Sequence, residues 1–304
     1  MKSTGNKILN FIKGCRYGSS VLDRFIIFIY IFSTLLTLSL LYVILGKEKT
    51  GKILVSNSRL FNWIPIEKVT VNFNGILLSL PLALDYMMLV WDNWELEEKE
   101  FMKKVSKNNG IILDIGSNVG YHTTMLAKEN INSTIISVEA SPTIFKILQE
   151  NCTRNKFTNI IFYNNAVTEQ DDVEIDFYKK DTMSTIDKQL LDDWSIPDDD
   201  IKKERTKTIT IDTLLEREQI SKVLLLKMDI EGAEVLALSG AKSSLKQKKI
   251  QNILIEYHSN SNRDHIMNLL TDSGYTVEEP HERFNPYETN DRANGHLFAV
   301  LSSD

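Results

Sequence analysis

Five short apolar runs constrain this chain more than any other feature: Ile111–Ile115, Thr134–Val138, Ile160–Tyr163, Val223–Met228 and Ile253–Tyr257. They are rich in β-branched residues and apolar on both faces, as strands buried on both sides of a parallel sheet are. The segments between the first three read as helices. In SPTIFKILQENCTRN, Pro142 stands near the first turn, and Ile144, Ile147 and Leu148 make the stripe of a helix laid on a sheet. Strand then helix, repeated, predicts an α/β fold: a doubly wound, mostly parallel sheet with helices on both faces. Before Val223 the repeat is broken by DDVEIDFYKK, which is strand-like, and IPDDDIKKER, which reads as an acid-rich loop. Together they read as an insertion near the site. Upstream, Lys68–Leu80 alternates around Asn74-Gly75, the dipeptide that best accepts a tight hairpin turn. LDYMMLVWDNWELEEKEFMKKV then predicts a helix with a break at Asp92 and Asn93.

In an open parallel sheet, ligands bind at the carboxyl ends of the strands, where strand order reverses. Residues 112–123, ILDIGSNVGYHT, carry a glycine turn at the end of the first strand, with Asp114, Gly116, Ser117, Asn118 and Gly120 as candidate cofactor contacts. Glu139 and Ala140 close the second strand, and Asn165 and Ala166 follow the third. Glu139 stands about twenty residues past the turn, where an acid accepts ribose hydroxyls. An amide at Asn165 suits an adenine edge, and the small Ala166 leaves room for a flat ring. A dinucleotide site would need G-x-G-x-x-G. Here Asn118 and Tyr121 occupy two of those glycine positions, and Asp114 puts negative charge where a pyrophosphate would approach. The ligand that fits has adenine and ribose, no phosphate, and cationic groups for Asp114 to face: S-adenosylmethionine.

ILDIGSNVGYHT, SVEASP, NNAV, TITIDTLL, LLLKMDIEGAEVLALSGA and ILIEYH occur in the order and spacing of the FkbM-type methyltransferases, and DNWELEE resembles the segment before their first motif. The resemblance spans roughly Val69 to Val300. It implies a class I, Rossmann-like methyltransferase fold with a seven-stranded sheet, HLFAVL supplying a terminal antiparallel strand. It also implies S-adenosylmethionine as cofactor and methyl transfer to a hydroxyl oxygen. The alternatives are an NAD-dependent oxidoreductase of Rossmann type and a non-catalytic membrane-tethered adaptor.

Asp229 and Glu231 close the fourth strand, and Glu256 and His258 repeat that spacing at the fifth. If each pair stays extended, alternate residues face one side and all four converge beside the cofactor as candidate catalytic residues. His258 has the most suitable ordinary pKa for a base. The competing reading makes Glu231 and Glu234 caps of the following helix. Asp229 and Glu256 could share a divalent metal, but no third carboxylate stands in an obvious position, and no metal is expected. Arg283, Tyr287 and Arg292 in the polar segment Glu278–Gly295 suit hydroxyl or carboxylate recognition.

Phe25–Leu45 carries no charge over the length needed to cross a bilayer core. It predicts a single-pass membrane anchor within an N-terminal region, 1–52, ahead of a methyltransferase domain, 53–304, whose cofactor-binding core is 109–304. Flanking lysines and arginines lie on both sides, so charge does not orient the span. The catalytic domain is expected in the cytoplasm, where the cofactor is made, and the acceptor to be a small-molecule, glycan or lipid-linked hydroxyl. With a net charge of −6 and no basic stripe, nucleic acid is not an expected partner. Cys15 and Cys152 form no metal or disulfide pattern.

Overall fold

The computed structural model describes residues 68–81, 96–180, 183–185, 202–280 and 295–302. The chain divides into two compact units. The described part of the first is a hairpin, β1 (Lys68–Phe73) and β2 (Ile76–Pro81), with Phe73 opposite Ile76. Its turn has φ 48° at Asn74 and φ 83° at Gly75. These are the two positive angles that the Asn-Gly dipeptide accepts at low cost.

The second unit holds a seven-stranded sheet in the order β12-β13-β11-β10-β3-β4-β5. Its first half runs α1 (Leu96–Val105), β3 (Ile111–Ile115), α2 (Tyr121–Glu129), β4 (Thr134–Val138), α3 (Pro142–Arg154) and β5 (Ile160–Tyr163). Ser141 caps α3 by accepting from the Ile144 N–H, and Pro142 takes the first helical position, where its missing N–H costs nothing. The second half runs α4 (Ile211–Arg217), β10 (Leu225–Met228), α5 (Glu234–Ser239), α6 (Lys242–Lys246), β11 (Asn252–Tyr257), α7 (Asn260–Asp272), β12 (Tyr275–Glu278) and β13 (Gly295–Leu301). Six strands share one direction; β13, from the predicted HLFAVL segment, pairs antiparallel with both β11 and β12.

Both sheet faces are buried, which is why the strands read as continuous apolar runs. Leu113, Ile115, Ile136, Leu226, Met228, Ile253 and Ile255 belong to the core on one side, with Ile211, Leu214, Ile266 and Leu270 from the helices. Ile112, Ile135, Leu225 and Leu254 pack on the other with Phe101 and Met102 of α1 and Leu126 of α2. From β3 the chain moves outward to β5, then returns to β3's other side as β10. Strand order therefore reverses between β3 and β10, and the cleft at their carboxyl ends is where a ligand fits.

The insertion is a second sheet, β6-β9-β7-β8, made of β6 (Ala166–Val167), β7 (Glu174–Lys180), β8 (Met183–Thr185) and β9 (Lys202–Ile209). IPDDDIKKER is thus not wholly a loop, because Lys202–Arg205 opens β9. Lys203 meets Asp176 at 2.7 Å across the β7–β9 ladder, and Arg205 approaches Glu174 and Asp176. Opposite charges facing one another let so polar a segment pair as a strand. The apolar run Phe25–Leu45 and Arg283, Tyr287 and Arg292 lie outside the described residues. Among the described residues no helix is long and apolar enough to cross a membrane.

Candidate active site

The glycine turn rests directly on the chain leaving β10. Gly116 has φ 78°, and a Cβ there would lie 1.7 Å from the Asp229 carbonyl oxygen. Only glycine allows that approach. The Gly116 and Ser117 N–H groups both donate to the Val138 carbonyl, at 2.9 and 3.0 Å, tying the turn to β4. Glu139, just beyond β4, accepts the Asn118 N–H at 2.9 Å on one carboxylate oxygen and the Ser141 N–H at 2.8 Å on the other. Its side chain is thereby fixed in the wall of the cleft.

Gly116, Asn118, Glu139, Ala140, Asn165 and Ala166 all line this cleft, as the sequence anticipated for a common ligand site. Three expected contacts do not. Asp114 is 0 % exposed and points away, because along β3 it sits in register with Ser137 of β4 and Lys227 of β10. Thr123 donates to its carboxylate at 2.5 Å, and Lys227 Nζ lies 3.9 Å away. Asp114 therefore does not line the cleft; it is held beneath the turn. Ser117 is buried too, its hydroxyl donating to the Asp114 carbonyl at 2.7 Å and accepting from Ser137 at 2.7 Å. Gly120 is a packing glycine, with φ 86° and room for a Cβ closed by Leu148 at 2.7 Å.

Asp229, Glu231, Glu256 and His258 do converge, but Asp229 and Glu231 do not do so by extended alternation. β10 ends at Met228, and Glu231 turns with φ 52°. Single ligand atoms of Asp229, Glu231 and His258 lie within 4.8 Å of one another. His258 Nε2 is 3.1 Å from Glu231 and 3.8 Å from Glu256, and Nδ1 is 3.2 Å from Glu234. Glu234 is buried and accepts the Ile230 and Gly232 N–H groups, so the expected capping role at the start of α5 falls to it. Burial alone would depress the His258 pKa, but the Glu231 and Glu234 carboxylates outweigh it and hold the imidazole well above its ordinary value. Burial raises the Glu231 carboxyl, partly offset by His258.

Four contributors were not anticipated. Lys227, buried within β10, stands 3.4 Å from Asp229; a lone lysine in the apolar run LLLKM was the available signal. His296 of β13 meets Glu98 of α1 at 2.9 Å and Glu256 at 3.6 Å, a grouping that needs the β11–β13 register. Phe177, from the inserted sheet, lines the cleft, and Thr185 donates to the Glu231 carbonyl at 2.9 Å.

Comparison with known proteins follows this geometry. A curated relative, the tRNA(Phe) (4-demethylwyosine(37)-C(7)) aminocarboxypropyltransferase of Methanocaldococcus jannaschii, is 32 % identical over 78 residues, 26 % of this chain. The match spans about a third of that relative's length, 31 %. Among solved structures, Trm5b from Pyrococcus abyssi is 16 % identical at TM-score 0.44, covering 79 % of this chain and 57 % of that one. M. jannaschii TYW2 in complex with AdoMet is 16 % identical at TM-score 0.42, covering 78 % and 86 %. A SAM-dependent methyltransferase from Agrobacterium tumefaciens is 11 % identical at TM-score 0.45, covering 79 % and 72 %. The profile described as the methyltransferase FkbM domain matches residues 114–277, more than half of the sequence. The chain belongs to the FkbM methyltransferase family.

Proposed function

We propose that this chain is an S-adenosylmethionine-dependent methyltransferase acting on a hydroxyl oxygen. One observation carries the reading: the cleft at the strand-order reversal is lined by the carboxylates Glu139, Asp229 and Glu231, with no lysine or arginine among its described lining residues. A pyrophosphate would be repelled there, whereas a cationic adenosyl ligand fits. This charge pattern weighs against the NAD-dependent alternative. Glu139 would hold the ribose hydroxyls, the Gly116–Asn118 backbone the adjoining chain, and Asn165 with Ala166 the adenine side. When bound, the cofactor supplies an electrophilic methyl carbon on a sulfonium.

The protein's own contribution is alignment and proton removal. Alignment of donor and nucleophile accounts for up to roughly 7–11 kcal/mol in well-oriented systems. Asp229 and Glu231, 30 % and 26 % exposed, reach the cleft, while His258 is 3 % exposed and enclosed by carboxylates. An acceptor hydroxyl can meet the two acids but not the imidazole. Asp229 or Glu231 thus takes the proton, and His258 is a positioning residue that holds Glu231 in place. The uncharged run Phe25–Leu45 favours a membrane anchor, with the domain on the cytoplasmic side and a glycan or lipid-linked acceptor. Full-length protein should stay in the membrane pellet after carbonate washing; release into the supernatant would end that part of the reading.

The central test is calorimetry on the full chain in mild detergent with S-adenosylmethionine, S-adenosylhomocysteine and NAD. Micromolar binding of the two adenosyl ligands is expected. Glu139→Ala should weaken it about 10- to 100-fold, since hydrogen bonds to charged groups are worth about 1.5–3 kcal/mol. Binding of NAD alone would overturn the assignment. Incubation with cell extract and separately labelled cofactor then identifies the group moved: label from the methyl carbon should reach product, and transfer of the aminocarboxypropyl chain instead would refute methyl transfer.

A further inference from the structure

Four carboxylates surround one imidazole where β10 and β11 end. Glu231 and Glu256 face His258 Nε2, Glu234 faces Nδ1, and Asp229 stands beside Glu231. Among the described residues the neighbouring cations do not balance this set. Lys227 divides its charge between Asp229 and Asp114, and His296 lies between Glu256 and Glu98. Among the described residues, even with both histidines protonated, Asp114, Asp229, Glu231, Glu234 and Glu256 outnumber Lys227, His258 and His296. Excess like charge in a partly buried cluster is costly unless a further cation enters.

We propose that Asp229, Glu231 and His258 form a divalent-cation site at the edge of the cofactor cleft, of the type that takes Mn²⁺. Sequence spacing offered Asp229 and Glu256 as a metal pair; the folded chain instead groups Asp229 with Glu231 and the His258 imidazole. Three features support the site. The ligand atoms lie within 4.8 Å of one another, close enough for all three to approach one ion. Mixed carboxylate and imidazole ligands suit a transition ion better than Ca²⁺. Buried Glu234 stands 3.2 Å from His258 Nδ1, the place of the outer carboxylate that orients a metal-bound histidine. Because Asp229 and Glu231 also line the cleft, the ion's remaining positions are open to an acceptor oxygen, whose hydroxyl it would make more acidic.

The competing occupant of Nε2 is a proton shared with Glu231, and titration separates the two. Full-length protein in mild detergent is titrated with Mn²⁺ while the electron paramagnetic resonance signal of free Mn²⁺ is followed. One ion per chain should bind at micromolar concentration, and Asp229→Asn and Glu231→Gln should each weaken binding at least tenfold. Both substitutions are near-isosteric at partly exposed positions, so folding should survive them. Asp264→Asn, an exposed carboxylate paired with Arg263, serves as the control and should change nothing. The absence of saturable binding, or equal binding by the Asp229→Asn/Glu231→Gln double variant, would show that a proton-filled ion pair occupies the position. Calorimetry with S-adenosylmethionine on the same preparations keeps the two readings apart: Mn²⁺ binding without cofactor binding would leave this site standing and remove the methyltransferase assignment.

Discussion

Gly116→Ala is expected to abolish binding of S-adenosylmethionine and to lower the unfolding temperature sharply. The new methyl carbon would sit 1.7 Å from the Asp229 carbonyl oxygen, a backbone atom that no side-chain rotation can move aside. The φ of 78° adds strain for any residue with a Cβ. Relief requires the glycine turn and the chain leaving β10 to part, which opens the cleft. A cost of about 4 kcal/mol or more is expected, the range reserved for severe backbone or core disruption. Gly120→Ala supplies the graded comparison. Its clash is with the terminal methyl of Leu148, which can shift, so a loss of about 1–3 kcal/mol should leave a folded protein. Thermal denaturation and calorimetry on both variants check the pair; native stability and affinity in Gly116→Ala would refute the close approach.

Lys227→Met should destabilise the fold by about 3–5 kcal/mol, the cost of leaving a buried charge uncompensated. Asp114 is completely buried, and one of its carboxylate oxygens has no hydrogen bond, so it depends on the ammonium 3.9 Å away. Asp229 loses the same partner but reaches water, which softens its loss. The sharper expectation concerns the double variant: neutralising the stranded acid with Asp114→Asn should restore part of what Lys227→Met removes. Chemical denaturation of the wild type, both single variants and the double variant measures the coupling. A single-variant loss below about 1 kcal/mol, or strictly additive effects, would mean that Lys227 and Asp114 do not stabilise each other in the interior.

The strands were legible because burial on both faces leaves few choices: Ile111–Ile115, Thr134–Val138 and Ile160–Tyr163 stand where their β-branched runs lie. The ligand end of the sheet followed from the same runs, and with it Gly116, Asn118, Glu139, Ala140, Asn165 and Ala166. Direction was harder to read than position. Asp114 looked like a ligand contact because it precedes the turn, but the face it takes depends on Ser137 and Lys227, which the sequence does not set beside it. Convergence of the acidic residues came from a left-handed turn at Glu231, which local pattern does not disclose. Of the inserted strands, β7 was legible in DDVEIDFYKK, but the start of β9 was obscured because its pairing is carried by exposed charges, whose partners lie across the ladder.

That inserted sheet has a further consequence. Phe177 forms part of the cleft wall, and Thr185 grips the backbone of Glu231 from a strand outside the main fold. The seven-stranded sheet carries the turns that line the cleft, while a separate, charge-covered appendage holds one of the acids proposed to meet the acceptor. Substitutions in the appendage could therefore retune which acceptor is placed against the donor while the sheet keeps its own packing. The fold in effect mounts a fixed bench and an adjustable clamp on one chain.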